Sequence, residues 1–227
     1  MLLGVVLVVL LAVQTGVLIW FARWCSETVT RLPDALSDFY DTAVDAGHGD
    51  PPLDLDDPLL GERKVLLFHD VNARTAKDVS ARLMYLDGVD DTKPIDLYIS
   101  TQGGWPDSAF TIIDTMRTIH APVNTWAVGG CYSAGVLILA AATGRRYATE
   151  NAILMVHANL EDSDDGDSFA PLDRERCERL FKATTALPDS WYPMTDDEAH
   201  YLTPQEALRF RVIDEIAPSA GSKTESR

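Results

Sequence analysis

The chain has 227 residues, with 35 Asp or Glu against 19 Lys or Arg, and its formal net charge at pH 7 is −16. Such an acidic protein repels a phosphate backbone, which excludes a nucleic-acid-binding protein. With 46% apolar residues, the chain is neither collagen-like nor wholly disordered. Its three cysteines show no CxxC spacing, so they predict neither a disulfide framework nor a zinc site.

The first distinctive segment is an uncharged apolar run at residues 2–21, LLGVVLVVLLAVQTGVLIWF. A helix of this length spans about 30 Å, the thickness of the hydrocarbon core of a bilayer. Trp20 and Trp24 stand at the end of the run, as aromatic residues do at a membrane interface. We therefore predict an uncleaved transmembrane anchor over residues 1–24, with a signal peptide or a buried core helix as the alternatives.

Basic residues near the apolar run predict its orientation. Arg23 and Arg31 follow the run, whereas only the amino terminus precedes it. Because positively charged residues stay on the cytoplasmic side of a membrane, this margin of one charge favours a single-pass protein with a cytoplasmic soluble domain.

Residues 25–59 are predicted to form an acidic, flexible linker. Between Asp34 and Asp57 there are eight Asp and no Lys or Arg, interleaved with glycine and proline. Such a segment cannot bury enough apolar surface to offset the entropy that ordering would cost. It is either a simple solvated linker or a spacer that holds the domain away from an anionic membrane. The last residues, 218–227, are predicted to be a disordered tail.

Strands and helices alternate over residues 60–217. Apolar runs of strand character occur at residues 64–69, 95–99, 123–128, 145–149 and 153–157. Helical patterns occur at residues 76–86, 109–116, 136–142 and 173–187. A last helix begins at Thr203, where a Thr N-cap, a first-position proline and a capping-box Glu coincide. This alternation predicts an α/β domain with parallel strand pairing.

A second acidic run, residues 161–167, interrupts this domain. It resembles a calcium-binding loop only loosely, because Leu172 stands where an EF-hand loop requires Glu. We therefore predict no metal site, and no organic cofactor is required.

Two glycine-rich turns follow predicted strands and carry the candidate chemistry. The amides of Gly103 and Gly104 could stabilise a developing negative charge. Ser133 precedes an apolar helix beside the N–H of Ala134, and His157 ends a later strand, so a nucleophile, a base and amide donors are available. Each of these features also has a purely structural interpretation. Ser133 could be a helix cap, His157 a hydrogen-bonding residue at a strand end, and Gly103 with Gly104 a tight turn. The fingerprints GxxxxGK[ST], GxGxxG and GxSxG are absent, which argues against a phosphate loop, a dinucleotide site and an α/β-hydrolase.

Five sequence motifs then occur in a fixed order. They are LYISTQGG (97–104), IDTM (113–116), GGCYSAG (129–135), MVH (155–157) and TPQEALRFRVID (203–214). In this order and spacing the chain resembles the proteolytic subunit of the Clp protease and, more broadly, the Clp/crotonase superfamily, from Leu60 to Ile216. The resemblance implies a spiral of strand-turn-helix units with parallel sheets.

The resemblance also implies the roles of individual residues. Ser133 takes the position of the nucleophile and His157 that of the base, while Gly104 and Ala134 take the oxyanion-donor positions. A peptide or protein substrate and a homo-oligomer follow by the same resemblance.

The sequence departs from the family at three places. The third catalytic residue of the family, an Asp, is Ala199 here, although Asp196, Asp197 and Glu198 directly precede it. Asp197 is the best candidate for a replacement, because alternate residues of an extended chain point to the same side. The acidic run replaces a glycine-rich strand, and Arg211 replaces the usual glycine. These changes argue against a double ring and an unfoldase partner.

We therefore predict a membrane-anchored serine peptidase. A catalytically silent Clp-like scaffold is one alternative, favoured by Ala199. A crotonase-type acyl-CoA enzyme with the same oxyanion amides is another, but its chemistry requires neither Ser133 nor His157.

Overall fold

The computed structural model describes residues 57–157, 170–192 and 199–217. The predicted anchor, nearly all of the linker, the acidic run at 161–167 and the tail lie outside the described residues. Within the described residues, no helix is long and apolar enough to cross a membrane.

The described elements alternate between helix and strand, as the sequence pattern predicts. In chain order they are α1 (Pro58–Gly61), β1 (Lys64–Leu67), α2 (Ala73–Val89), β2 (Ile95–Thr101), α3 (Pro106–Thr118), β3 (Val123–Tyr132), α4 (Ala134–Ala140), β4 (Arg146–Thr149), β5 (Ile153–Val156), α5 (Ala170–Thr184), a 3₁₀ turn (Asp189–Trp191), β6 (His200–Leu202), α6 (Pro204–Arg209) and β7 (Glu215–Ala217). The α/β class is therefore confirmed.

The strands form one sheet that is parallel except at one end. Strands β1, β2, β3, β4 and β7 lie side by side in that order, and all of these pairs are parallel. β5 pairs with β3 in parallel, whereas β6 pairs with β5 antiparallel. The prediction of purely parallel sheets is thus wrong for β6. Helix α5, which lies between β5 and β6 in the chain, packs on α3 and α4.

A bulge divides β3 into two halves with different neighbours. Between the pairs Ile99–Ala127 and Thr101–Cys131, β2 advances by two residues while β3 advances by four. Gly129 lies in this bulge with a φ of +64°, a conformation that glycine adopts without strain. The first half of β3 pairs with β4, and the second half pairs with β5. The bulge thus directs the end of β3 toward β5.

Alternating burial along β2 shows how the sheet is covered. Ile95, Leu97 and Ile99 are fully buried, whereas the side chains between them are half-exposed. Helices α2, α3 and α4 cover the buried face, and all residues of α4 are buried. On the other face Trp126 stacks with Tyr98 and with Tyr147, at centroid distances of 5.5 and 4.1 Å. The apolar run of α4 is therefore a central core helix.

Local capping explains where several helices begin. The capping box predicted at Thr203 is present, since its side chain accepts from the N–H of Glu206 while the Glu206 carboxylate accepts from the N–H of Thr203. Helix α1 was not predicted; Asp57 caps it and also forms an ion pair with Arg82 of α2. One aspartate of the acidic segment therefore has a local and a tertiary partner.

Candidate active site

Ser133 lies at the sharp turn between β3 and α4. Its φ of 52° and ψ of −119° are sparsely populated by residues other than glycine. Such a backbone costs about 1–3 kcal/mol and persists only where its surroundings impose it. Here the N–H of Ser133 donates to the carbonyl of Met155 in β5 at 2.8 Å. This strand-turn-helix geometry is that of a nucleophile elbow, although the GxSxG signature is absent.

His157 follows β5 directly and lies beside the serine. Its Nε2 is 2.7 Å from Oγ of Ser133, a hydrogen-bonding distance. The register explains this proximity: Tyr132 pairs with Met155, Ser133 comes one residue after Tyr132, and His157 comes two residues after Met155. Burial lowers the pKa of His157, so the imidazole is neutral at pH 7 and can accept a proton.

The turn at Gly103 and Gly104 packs against the serine. A Cβ on Gly103 would lie 2.6 Å from Cβ of Ser133, and a Cβ on Gly104 would overlap the carbonyl oxygen of Val71. The φ angles of the two glycines are +113° and +140°, which side chains rarely allow. Both the close approach and the backbone conformation therefore require glycine here.

Two amides at this site are available as donors. The N–H of Gly103 donates to Oγ1 of Thr101 at 3.1 Å and is already used. Among the described residues, the N–H groups of Gly104 and Ala134 have no acceptor. Ala134 is the first residue of α4, where an amide has no partner within the helix. The predicted oxyanion donors are thus amides without an acceptor, one on each side of the serine.

The position of the third catalytic residue lies next to His157. Val156 pairs with His200 at the end of the antiparallel ladder, and the same register continued by one residue brings Ala199 opposite His157. Opposed residues in such a pair have Cβ atoms about 4.5–5.5 Å apart, within reach of a carboxylate. Within the described ranges, the only side-chain hydrogen bond of His157 is the one to Ser133. A carboxylate at this position, which the family resemblance implies, would lie beside the imidazole, and this chain has alanine there.

The candidate replacements, Asp196, Asp197 and Glu198, lie outside the described residues, so a role for Asp197 stays a prediction.

An aromatic stack that the sequence did not reveal packs against the start of β6. The rings of Trp191 and His200 are 3.8 Å apart and nearly parallel, and Phe210 meets Trp191 edge-on. The main chain at Ala199 is thereby fixed beside the site.

The site thus combines a hydroxyl, a neutral imidazole and two unused amides. This set suits acyl transfer, in which the hydroxyl attacks a carbonyl and the amides stabilise the oxyanion. The described part of the chain contains no cluster of three or more His, Cys, Asp or Glu side chains that could hold a metal ion.

Comparisons with known proteins agree with this geometry. The family model for Clp protease matches residues 51–220. A solved structure of a ClpP1 point mutant from Listeria monocytogenes is similar with a TM-score of 0.65 and 26% sequence identity, covering 74% of this chain and 98% of that chain. The family match includes the whole described part of the chain, with both glycine turns and His157. The chain therefore belongs to the Clp protease family.

Proposed function

We propose that this protein is a serine peptidase that hydrolyses peptide bonds, with Ser133 as the nucleophile and His157 as the general base. The observation that carries the proposal is the 2.7 Å distance between Oγ of Ser133 and Nε2 of His157 at a strained turn. Membership of the Clp protease family supports the same reaction class. It does not favour the acyl-CoA alternative.

The reaction begins when Oγ of Ser133 attacks the carbonyl carbon of the scissile bond. Its proton passes to Nε2 of His157, and the carbonyl oxygen becomes an oxyanion that accepts hydrogen bonds from the N–H groups of Gly104 and Ala134. When the tetrahedral intermediate collapses, the C–N bond breaks and His157 gives the proton to the leaving amine. A water molecule, activated by the same imidazole, then hydrolyses the acyl-enzyme.

The orientation of His157 decides the rate of this reaction. In a serine-protease triad, replacing the orienting Asp by Asn lowers kcat by about 10⁴. We propose that Asp197 supplies this carboxylate in place of the residue at position 199, because it stands three residues before the start of β6, which pairs with β5 beside His157. If no carboxylate orients His157, the site is a Ser–His dyad with a lower rate of hydrolysis. If that rate is zero, the protein is a catalytically silent scaffold.

We also propose that residues 2–21 anchor the protein in a membrane as a single span, with the peptidase domain in the cytoplasm, and that the domain forms a homo-oligomer. The uncharged run and its flanking tryptophans support the anchor. Alkaline carbonate extraction of membranes from cells that express the full chain tests it, because an integral protein stays in the pellet. Recovery in the supernatant would contradict the anchor.

Hydrolysis of an unfolded protein and of peptides by the purified full chain tests the proposed reaction. Ser133→Ala is expected to abolish hydrolysis. Ser80→Ala is the control for loss of a serine hydroxyl, since Ser80 is buried and accepts its hydrogen bond from Thr115 between α2 and α3. No hydrolysis by the unaltered chain would favour the silent scaffold, and hydrolysis of acyl-CoA thioesters alone would favour the crotonase-type alternative.

A further inference from the structure

Thr101, the last residue of β2, is a buried side chain that holds the Gly103–Gly104 turn. Its side chain is 5% exposed, and its Oγ1 accepts from the N–H of Gly103 at 3.1 Å. The same hydroxyl lies 3.4 Å from the carbonyl oxygen of Gly103, to which it donates. That carbonyl also accepts from the N–H of Val71 at 2.7 Å. Thr101 therefore contacts both polar groups of Gly103.

These contacts bear directly on the N–H of Gly104. The carbonyl of Gly103 and the N–H of Gly104 belong to one peptide unit, which is planar and trans, so the two groups point in opposite directions. When Thr101 and Val71 fix the carbonyl, they also fix the direction of the Gly104 amide. By occupying the N–H of Gly103, the hydroxyl leaves Gly104 as the donor of this turn.

The methyl group of Thr101 contacts the second turn of the site. A Cβ on Gly135 would lie 2.5 Å from Cγ2 of Thr101, so the methyl packs against the backbone of α4 directly after Ala134. One buried side chain thus touches the two segments that supply the unused amides. Its hydroxyl holds the turn after β2, and its methyl is packed against the start of α4.

We propose that Thr101 is a positioning residue that sets the spacing and direction of the two oxyanion donors, Gly104 and Ala134. This inference rests on the proposed peptidase function. It makes Thr101 a determinant of transition-state stabilisation that contacts neither the substrate nor the nucleophile's proton. Substrate binding in the ground state depends little on this spacing, because the oxyanion forms only after attack.

A second buried threonine provides a matched control. Thr125 in β3 is fully buried, and its hydroxyl donates to the carbonyl of Leu139 at 2.8 Å, away from both glycine turns. Thr101→Val and Thr125→Val each remove one buried hydroxyl and keep the side-chain volume. Only the first change releases a turn of the site.

The experiment compares these variants and Thr101→Ser in the full chain. It measures kcat and KM on a peptide and the affinity for a peptide boronic acid, which forms a tetrahedral adduct with the serine. A lost oxyanion donor costs about 10²–10³ in kcat, so a displaced donor in Thr101→Val should cost about tenfold or more. Boronate affinity should fall by the same factor while KM changes by less than about twofold. Thr101→Ser, which keeps the hydroxyl, should recover most of kcat, and Thr125→Val should keep the kcat of the unaltered chain.

Several results would overturn the inference. One is that Thr101→Val has the same kcat and the same boronate affinity as the unaltered chain. Another is that Thr101→Ser loses as much kcat as Thr101→Val. If Thr101→Val does not fold, Thr101→Cys, which has only a weak acceptor, gives the same comparison. An unaltered chain that neither hydrolyses peptides nor binds the boronate would instead refute the proposed function, and this inference with it.

Discussion

The two sides of β5 differ in how they contribute to the site. On the β3 side, backbone register and a strained turn place Ser133 within 2.7 Å of His157. On the β6 side, the register places Ala199 opposite His157, and the contribution there depends on one side chain. Most single substitutions leave a backbone arrangement intact, whereas one substitution is enough to remove the contribution of a side chain. The proposed nucleophile and base can therefore stay in place without a carboxylate at position 199.

The largest expected effect comes from the β3 side. Ser133→Ala should lower kcat by about 10⁴ or more, because removal of a triad nucleophile leaves only the oxyanion hole and substrate binding. Since alanine keeps the side chain small, thermal unfolding should change little. Residual hydrolysis above about one per cent of the original kcat would contradict the role of Ser133.

The next effect tests the carboxylate that we propose for the β6 side. Asp197→Asn should lower kcat by about 10² or more if this residue orients His157. Asp214→Asn is not a suitable control, because Asp214 forms an ion pair with Arg146. Asp91→Asn, an exposed change far from β6 in the chain, is the better one. Unchanged kcat in Asp197→Asn would show that another group, or none, orients the imidazole.

A carboxylate introduced at position 199 tests whether the β6 side can still support His157. Ala199→Asp should raise kcat by about tenfold or more if the native site is a dyad, because an Asp beside the imidazole fixes its tautomer and stabilises the imidazolium. Leu208→Asp adds the same charge on the exposed side of α6 and should leave kcat unchanged. A fall in kcat in Ala199→Asp would contradict the proximity of position 199 to the imidazole.

The pH dependence of hydrolysis reports the environment of His157. Burial lowers the pKa of this imidazole below its usual 6.5, so the base is neutral at pH 7. The rate kcat/KM should therefore fall as the pH drops through this lowered pKa, with the midpoint of the acid limb below pH 6.5. Ala199→Asp should move this acid limb to higher pH, because a nearby negative charge favours the imidazolium. An acid limb above about pH 6.5 in the unaltered chain would show that burial does not dominate the pKa of His157.

The smallest effects concern stability at two arginines with left-handed backbones. Arg211, at φ 54°, has an exposed side chain and stands where the family has glycine, so Arg211→Gly should raise the free energy of unfolding by about 1 kcal/mol. Arg63, at φ 57°, donates to four carbonyl groups around the end of α2, and Arg63→Gly should lower stability by about 1–3 kcal/mol. Urea unfolding measures the free energy of unfolding of both variants. A change of the same sign in Arg211→Gly and Arg63→Gly would contradict the different roles given to the two arginines.

Sequence patterns predicted the elements that carry periodicity. The strands at 64–69, 95–99 and 123–128 were found because apolar residues mark them. Helix α1 and strand β6 were missed, since three or four residues show no period. The end of β3 was also placed too early, because Gly129 and Gly130 read as a turn, whereas in the sheet they form a bulge inside the strand.

Sequence motifs predict the candidate site residues, but they do not predict the residues that hold them in position. Ser133 and His157 stood out because their motifs keep a known order, and the sheet register then brings the two residues together. Thr101 reads as an ordinary β-branched strand residue, and its role depends on two glycines 2 and 34 residues away in the chain. No sequence signal identifies such a contact, because it arises only when β2 and α4 pack.

The most direct test of Ser133 as the nucleophile is covalent labelling of the full chain with a fluorophosphonate probe, followed by peptide mass spectrometry to locate the adduct. We expect the probe to label Ser133 and His157→Ala to suppress labelling, because the imidazole is needed to remove the proton from Oγ. A folded protein that is not labelled, or is labelled at another serine, would contradict the role of Ser133. So would labelling of Ser133 that proceeds equally fast in His157→Ala.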